Sequence, residues 1–215
     1  MTQAEVASAN RKLYLLPVEF ALFALVFWAD GAGLIPLSKT PFLLLIAWAS
    51  LRLRGLGWRS AGLNADRRWL GLLGIGIGAG GAFWAFEFFV ENPLLYQLTG
   101  RYPDLHAFDD LIGNVRLLAI LLALNLVLAA FGEEMVWRGY ALPRVADTLG
   151  ESRWAWAASL LAVNVAFGLA HLYQGEAGIV QASVQGVLLG LLISQPGETS
   201  SRPSPPTSPP TLATS

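Results

Sequence analysis

The residues best suited to chemistry lie together at the end of an apolar run, in the stretch Phe-Gly-Glu-Glu-Met-Val-Trp-Arg-Gly-Tyr at positions 131–140. Glu134 and Arg138 are four residues apart and can form an ion pair on a helix. Glu133 lies about 100° further round such a helix, so its carboxylate is free to act as a general base. Charges at bilayer depth usually mark function, although a solvated ion pair at a helix end gives the same pattern.

A second group lies in a later apolar run, where Asn164, Phe167 and His171 recur at helical spacing and therefore share one face. An imidazole exchanges a proton near neutral pH and can bind a metal ion, so His171 is a candidate for chemistry. The alternative is an interfacial or hydrogen-bonded histidine without a chemical role.

Helix geometry predicts that the two groups meet. If one helix continues to about Leu149 and the next begins at Arg153, Glu133 and His171 both lie roughly 27–30 Å from the intervening turn. A carboxylate and an imidazole on facing helices would then stand at the same level. A helix break at Gly139 or Pro143 would instead leave them at opposite faces of the membrane.

The composition predicts a membrane environment for these groups. Of the 215 residues, 54% are hydrophobic and only 13% are charged, which is about half the charged share of a soluble domain. We therefore expect lipid to cover the apolar surface. Cysteine is absent, which excludes disulfides, thiolate nucleophiles and cysteine-based zinc sites. No basic cluster is interleaved with aromatic residues, so we expect no nucleic-acid partner.

The elements that must position the candidate residues are apolar runs of membrane-spanning character. There are six, at residues 13–29, 42–53, 69–90, 117–131, 154–172 and 178–193, the second reaching about 20 residues if it begins at Ile35. Arg and Lys concentrate before the first run, between the second and third, and between the fourth and fifth, which predicts that both termini are cytoplasmic. The predicted fold is an all-α, polytopic transmembrane helical bundle of about six spans.

Glycines in the third run have two interpretations. Gly76, Gly78 and Gly81 match the spacing of a dinucleotide-binding fingerprint, but that motif needs a strand before it and a helix after it. Because they lie inside an apolar helix, we predict instead that the glycines at positions 74–81 let a neighbouring backbone approach closely.

The two charged groups carry a family resemblance. Glu133-Glu134-x-x-x-Arg138 followed by Phe167-x-x-x-His171 resembles the first two motifs of the CPBP family, the CAAX proteases and bacteriocin-processing enzymes, also called the Abi family. Arg-Gly follows the first motif, Phe-Gly-Leu-Ala-His forms the second, and Gln-Gly-Val-Leu-Leu-Gly-Leu-Leu follows at 185–192. The similarity extends from about residue 117 to residue 192.

The resemblance implies an intramembrane protease, a hydrolase of peptide or protein substrates, within a bacterial inner membrane. Glu133 would activate the attacking water, and His171 would bind zinc or orient that water. Glu134 and Arg138 would form a supporting pair, or Arg138 would meet substrate. The family includes proteins described as metalloproteases and as glutamate-based proteases, so zinc held by His171 and Glu133 is a family-level expectation. Catalytic zinc normally takes three protein ligands and a water, and these are two.

A third motif of the family, a histidine followed four residues later by Asn or Asp, does not follow His171. The other histidine, His106, precedes the first motif in an acidic loop, where we expect it to be exposed. After Ser194 the sequence turns to Ser, Thr and Pro, as a frameshift or premature end would produce. An apolar segment with the third motif in another frame of the downstream DNA would support this expectation.

We therefore predict three regions: an N-terminal transmembrane region (1–114), an incomplete CAAX-protease-like core (115–194) and a disordered Ser/Pro-rich tail (195–215). The predicted function is peptide-bond hydrolysis inside the membrane or at its cytoplasmic face. Because the third motif is missing, an inactive membrane scaffold or immunity-type protein is one alternative. Another is an ion-transporter fragment, with an ion path marked by Glu19, Glu87, Glu133 and His171.

Overall fold

The structure is a computed structural model that describes residues 3–36, 38–63, 69–150 and 152–193. The described residues form helices joined by turns and short irregular segments, and no strand occurs among them. The predicted all-α class is therefore confirmed. The predicted tail at 195–215 lies outside the described residues. The α-helices are α1 (Gln3–Gly31), α2 (Thr40–Leu53), α3 (Trp69–Phe86), α4 (Asn92–Thr99), α5 (Val115–Asn125), α6 (Leu142–Thr148), α7 (Arg153–Leu169) and α8 (Gly175–Ile193).

The first motif lies on one continuous helix. Two π-helical stretches, Leu126–Glu133 and Met135–Ala141, connect α5 to α6, so that the helix runs unbroken over Val115–Thr148. We call it the long helix. Pro143 does not break it: the π-helical stretch that ends at Ala141 changes the hydrogen-bond pattern just before this proline, and the helix continues to Thr148. Of the two alternatives left open by the sequence, the structure has the unbroken helix rather than a break at Gly139 or Pro143.

Three helices of the described chain are long and apolar enough to cross a membrane: Leu70–Thr99, Val115–Thr148 and Leu172–Leu192. Thr40–Leu53 and Arg153–Leu169 are shorter apolar helices, and with α1 these elements correspond to the six predicted runs. The predicted extension of the second run back to Ile35 is wrong, because the chain turns between α1 and α2. The 14 residues of α2 therefore span only about 21 Å.

Two glycines allow other elements to pack closely on the long helix beside the charged stretch. A Cβ at Gly132 would lie 2.6 Å from Cγ2 of Thr40, at the start of α2. A Cβ at Gly139 would lie 2.6 Å from the carbonyl oxygen of Ala61. Since real Cβ atoms do not approach so closely, glycine at these positions brings α2 and the turn after it onto the long helix. The buried cluster formed there includes Leu43, Val136 and Trp137.

The glycines of α3 behave differently from the prediction. A Cβ at any of them would meet no atom within 4 Å among the described residues, which holds for Gly74, Gly76, Gly78, Gly80 and Gly81. Large apolar side chains of the same helix, such as Ile75 and Ile77, are also exposed. The expected close packing of another backbone is therefore not found within the described chain, because α3 directs this surface outward, as suits contact with lipid.

Candidate active site

Arg138 joins the two sequence motifs. Its Nη1 lies 3.2 Å from Oε1 of Glu134, so the ion pair predicted from the four-residue spacing is present. Its guanidinium carbon also lies 4.3 Å from the centroid of the Phe167 ring, a cation–π contact with the second motif. Only 4% of Arg138 is exposed. The first motif therefore packs directly against the second through Arg138 and Phe167.

His171 lies in the turn that follows α7. The helix begins where the Ser152 hydroxyl accepts a hydrogen bond from the Ala155 amide, at 3.1 Å, and it ends at Leu169. Nδ1 of His171 lies 2.8 Å from the carbonyl oxygen of Phe167. Because a carbonyl only accepts hydrogen bonds, Nδ1 carries the proton, which leaves Nε2 as the nitrogen able to accept a proton or bind a metal.

A row of aromatic rings holds the imidazole in place. Trp137 of the long helix meets Phe167 edge-on, with ring centroids 5.5 Å apart. Phe167 in turn meets the ring of His171 at 4.7 Å, and Tyr173 follows at 5.9 Å on the other side. These contacts fix the level of His171 relative to the first motif and restrict how its ring can turn.

Glu133 differs from Glu134 in that its carboxylate has no ion-pair partner among the described residues. It is half-buried and makes no hydrogen bond or ion pair with another described residue. The positive charges that act on it are those of Lys39 and Arg138, and the same two charges act on His171. Glu133 is thus the carboxylate of the first motif that remains unpaired among the described residues.

Lys39 was missed by the sequence reasoning. It immediately precedes α2, and its Nζ lies 2.9 Å from Oδ2 of Asp30. The same ammonium lies 5.6 Å from the ring centroid of Phe27 and 5.8 Å from that of Tyr173. One sequence signal could have found it, because Lys39 is the only charged residue between positions 31 and 51.

His171 and Glu133, the predicted zinc ligands, lack the further ligand side chain that a catalytic zinc site would need. The described residues contain no group of three or more His, Asp or Glu side chains able to hold a metal ion. Since catalytic zinc normally takes three protein ligands, these residues alone do not fit such a site. Zinc binding stays a prediction.

His106 occupies a separate place in the short 3₁₀ turn His106–Leu111. Its side chain is 86% exposed, as predicted, and Nδ1 lies 3.0 Å from Oδ2 of Asp109. The hydrogen bond to Asp109 raises the pKa of His106 above its usual value. Because it contacts none of the site residues, it offers a natural control for His171.

The other carboxylates of the predicted ion path have partners of their own. Glu19 is bonded to Arg54 and Ser50. Glu87 accepts a long hydrogen bond, 3.4 Å, from Gln181 of α8. Neither partner set includes Glu133 or His171, so the described contacts form separate clusters rather than one file of ionisable groups.

A buried ion pair, an imidazole near it and three helices apolar enough to cross a membrane indicate an integral membrane protein with a polar centre. Residues 115–199 match the family model described as type II CAAX prenyl endopeptidase Rce1-like. This segment contains both motifs, and the match confirms the resemblance to the CAAX-processing proteases. Neither a curated protein nor a solved structure matches the chain.

Proposed function

We propose that this chain is an intramembrane endopeptidase of the CAAX-processing type, with Glu133 as its general base. The observation that carries the proposal is the position of the Glu133 carboxylate. It has no hydrogen-bond partner among the described residues, and it lies next to Glu134 of the ion pair whose arginine packs on Phe167 of the second motif. The family match covers the segment in which both residues lie.

The reaction needs only groups that the site contains. Glu133 removes a proton from a water whose oxygen then forms a bond to the scissile carbonyl carbon. Nε2 of His171 accepts a hydrogen bond from that water and so orients it. When the carbon–nitrogen bond breaks, the proton on Glu133 passes to the leaving amine. Glu134 holds Arg138 in place, and Arg138 supports the ring of Phe167 beneath the imidazole.

The test uses full-length protein in liposomes and two candidate peptides that end in a CAAX sequence, one prenylated on its cysteine and one not. We expect Glu133→Gln to lower the cleavage rate by about 10²–10⁴-fold, as loss of a general base does. His171→Ala should also lose most activity, whereas His106→Ala should match wild type. Equal cleavage by wild type and Glu133→Gln would refute the proposal, and a wild type that cleaves neither peptide would favour the inactive scaffold.

A zinc-assisted reaction is tested separately by metal analysis of the purified protein. Because catalytic zinc is bound one ion to a site, the zinc-assisted reaction predicts about one zinc per chain. The metal should be lost in His171→Ala but kept in His106→Ala. Cleavage by protein that contains no zinc would support a reaction that depends on the glutamate alone.

The directions of α2 and the long helix support a location for the site at one end of the bundle. The start of α2 lies beside Gly132, and Ser50, ten residues later, lies beside Tyr140, so α2 runs parallel to the long helix. Lys39 is therefore at the same end as Glu133, and Arg54 and Arg59 are toward the other. With cytoplasmic termini, the Lys39 end faces away from the cytoplasm, and we propose that the reaction takes place toward that side rather than at the cytoplasmic face.

Because the chain has no cysteine, single-cysteine variants can test this orientation. Ala32→Cys marks the Lys39 end and Ser60→Cys the other, since both positions are exposed. We expect a membrane-impermeant maleimide to label Ala32→Cys from the non-cytoplasmic side and Ser60→Cys from the cytoplasmic side. The opposite labelling would place the site toward the cytoplasm and overturn the predicted positions of the termini.

A further inference from the structure

Lys39 is a cation from outside the segment that matches the family model, yet its Nζ lies 5.8 Å from the ring centroid of Tyr173, the ring that stands 5.9 Å from that of His171. Its side chain is 17% exposed, so it lies at the edge of the site rather than deep within it. Lys39 lies in the short connection just before α2, and its partner Asp30 lies in the last turn of α1. The site is therefore built from two distant parts of the chain.

The two cations of the site differ in how accessible they are to a substrate. Arg138 is engaged with the Glu134 carboxylate and the Phe167 ring, and its side chain is 2% exposed. Lys39 contacts one carboxylate oxygen, that of Asp30, at 2.9 Å. An ammonium group has three N–H donors, so Lys39 retains donors for a substrate atom while Asp30 keeps it from swinging into solvent. The rings of Phe27 and Tyr173 flank the ammonium on its other sides.

We infer that Lys39 contacts the scissile carbonyl oxygen of a bound peptide and stabilises the negative charge that develops there. This inference rests on the proposed function. As the water oxygen bonds to the carbonyl carbon, the electron pair of the carbon–oxygen π bond moves onto oxygen, and the ammonium of Lys39 hydrogen-bonds that oxyanion. When the charge returns to form the carbonyl, the carbon–nitrogen bond breaks. Fixed donors aimed at such an oxygen are among the largest contributions to catalysis.

The experiment compares Lys39→Met, Lys39→Arg and the control Arg52→Met in the full-length protein, with the peptide that wild type cleaves. Arg52 is an exposed cation in the last turn of α2, the helix that Lys39 precedes. Its removal therefore changes the charge without touching the site. We expect Lys39→Met to lower kcat by about 10²–10³-fold with KM changed much less. Lys39→Arg should recover part of the rate, and Arg52→Met should match wild type.

A binding measurement separates this role from a structural one. A peptide whose scissile amide is replaced by a phosphinate carries the negative tetrahedral group that Lys39 would hold, whereas a hydroxyethylene analogue is tetrahedral but uncharged. Lys39→Met should weaken binding of the phosphinate by at least tenfold and leave binding of the hydroxyethylene within about twofold.

Equal weakening of both analogues, or unchanged kcat in Lys39→Met, would overturn the inference. The proposed function would survive either result if Glu133→Gln were still inactive. If wild type cleaves no peptide and binds neither analogue, the proposed function fails, and the role of Lys39 fails with it.

Discussion

Glu19 and Arg54 form an ion pair between α1 and the residue after α2, whereas Glu134 and Arg138 form one within a single helix. The first pair is saturated with hydrogen bonds. Arg54 donates to both carboxylate oxygens of Glu19, Ser50 donates to one of them at 2.5 Å, and Tyr140 donates to Ser50 at 2.7 Å. This network connects α1 and α2 to the long helix.

The second pair keeps unused hydrogen-bonding capacity. None of the three guanidinium nitrogens of Arg138 makes a hydrogen bond to another described residue, and Oε2 of Glu134 is likewise buried without a partner there. A buried polar group left in this state costs free energy. The comparison teaches that burial of charge alone does not identify a site. The saturated cluster joins α1 and α2 to the long helix, and the unsaturated cluster belongs to the candidate site.

The largest expected difference between the clusters is in stability, tested by Arg54→Met and Arg138→Met. Arg54→Met leaves Glu19 buried without its counter-ion, and we expect the free energy of unfolding to fall by about 3–5 kcal/mol. Arg138→Met leaves Glu134, whose side chain is 35% exposed and can be hydrated, so we expect a change of no more than about 1 kcal/mol. Unfolding by SDS titration in mixed micelles measures both, and similar values for the two variants would break the comparison.

Coupling between partners should differ by a smaller amount. Double-mutant cycles over Glu19→Gln with Arg54→Met should give a coupling energy of about 1–3 kcal/mol, because the two side chains share several hydrogen bonds. The cycle over Glu134→Gln with Arg138→Met should give about 0.2–0.5 kcal/mol, as for an ordinary helical pair. The same micelle titration provides these values, and a larger coupling in the second cycle would contradict the assignment of a structural role to the first.

The smallest effect concerns the edge of the saturated cluster. Tyr140→Phe removes the hydrogen bond to Ser50 and should lower the free energy of unfolding by about 1 kcal/mol without changing peptide cleavage. Tyr96→Phe is the matched control, because Tyr96 is an exposed residue of α4 and should leave stability unchanged. Loss of cleavage in Tyr140→Phe would show that the two clusters act as one unit.

Much of the site could be predicted because it depends on spacing within one segment. The four-residue interval between Glu134 and Arg138 determines that pair on a helix, whether the turns are α or π in detail. Equal distances from the turn near Gly150 placed Phe167 and His171 opposite the first motif, and the ring contacts confirm that level. The catalytic roles of these residues stay predictions until activity is measured.

The remaining features depend on contacts between distant segments. Lys39 and Tyr173 are far apart in sequence, so no local pattern brings the ammonium near that ring. Glu19 and Arg54 are separated by 35 residues, and the sequence reasoning took Glu19 as part of an ion path because its partner was not visible. The start of α2 was also misplaced, since hydropathy continues through the turn where the backbone does not remain helical.

The sequence by itself determined the class of molecule: apolar runs that require lipid, a helix that carries two glutamates and an arginine, and a histidine at the end of the next apolar run. These follow from periodicity and from the free-energy cost of exposing apolar surface or burying charge. Only the tertiary structure decided which charges are satisfied and which remain available, because that depends on how closely α1 and α2 approach the long helix. Gly132 and Gly139 permit that approach, and the contacts it creates put Lys39 at the site and Arg54 in the saturated cluster.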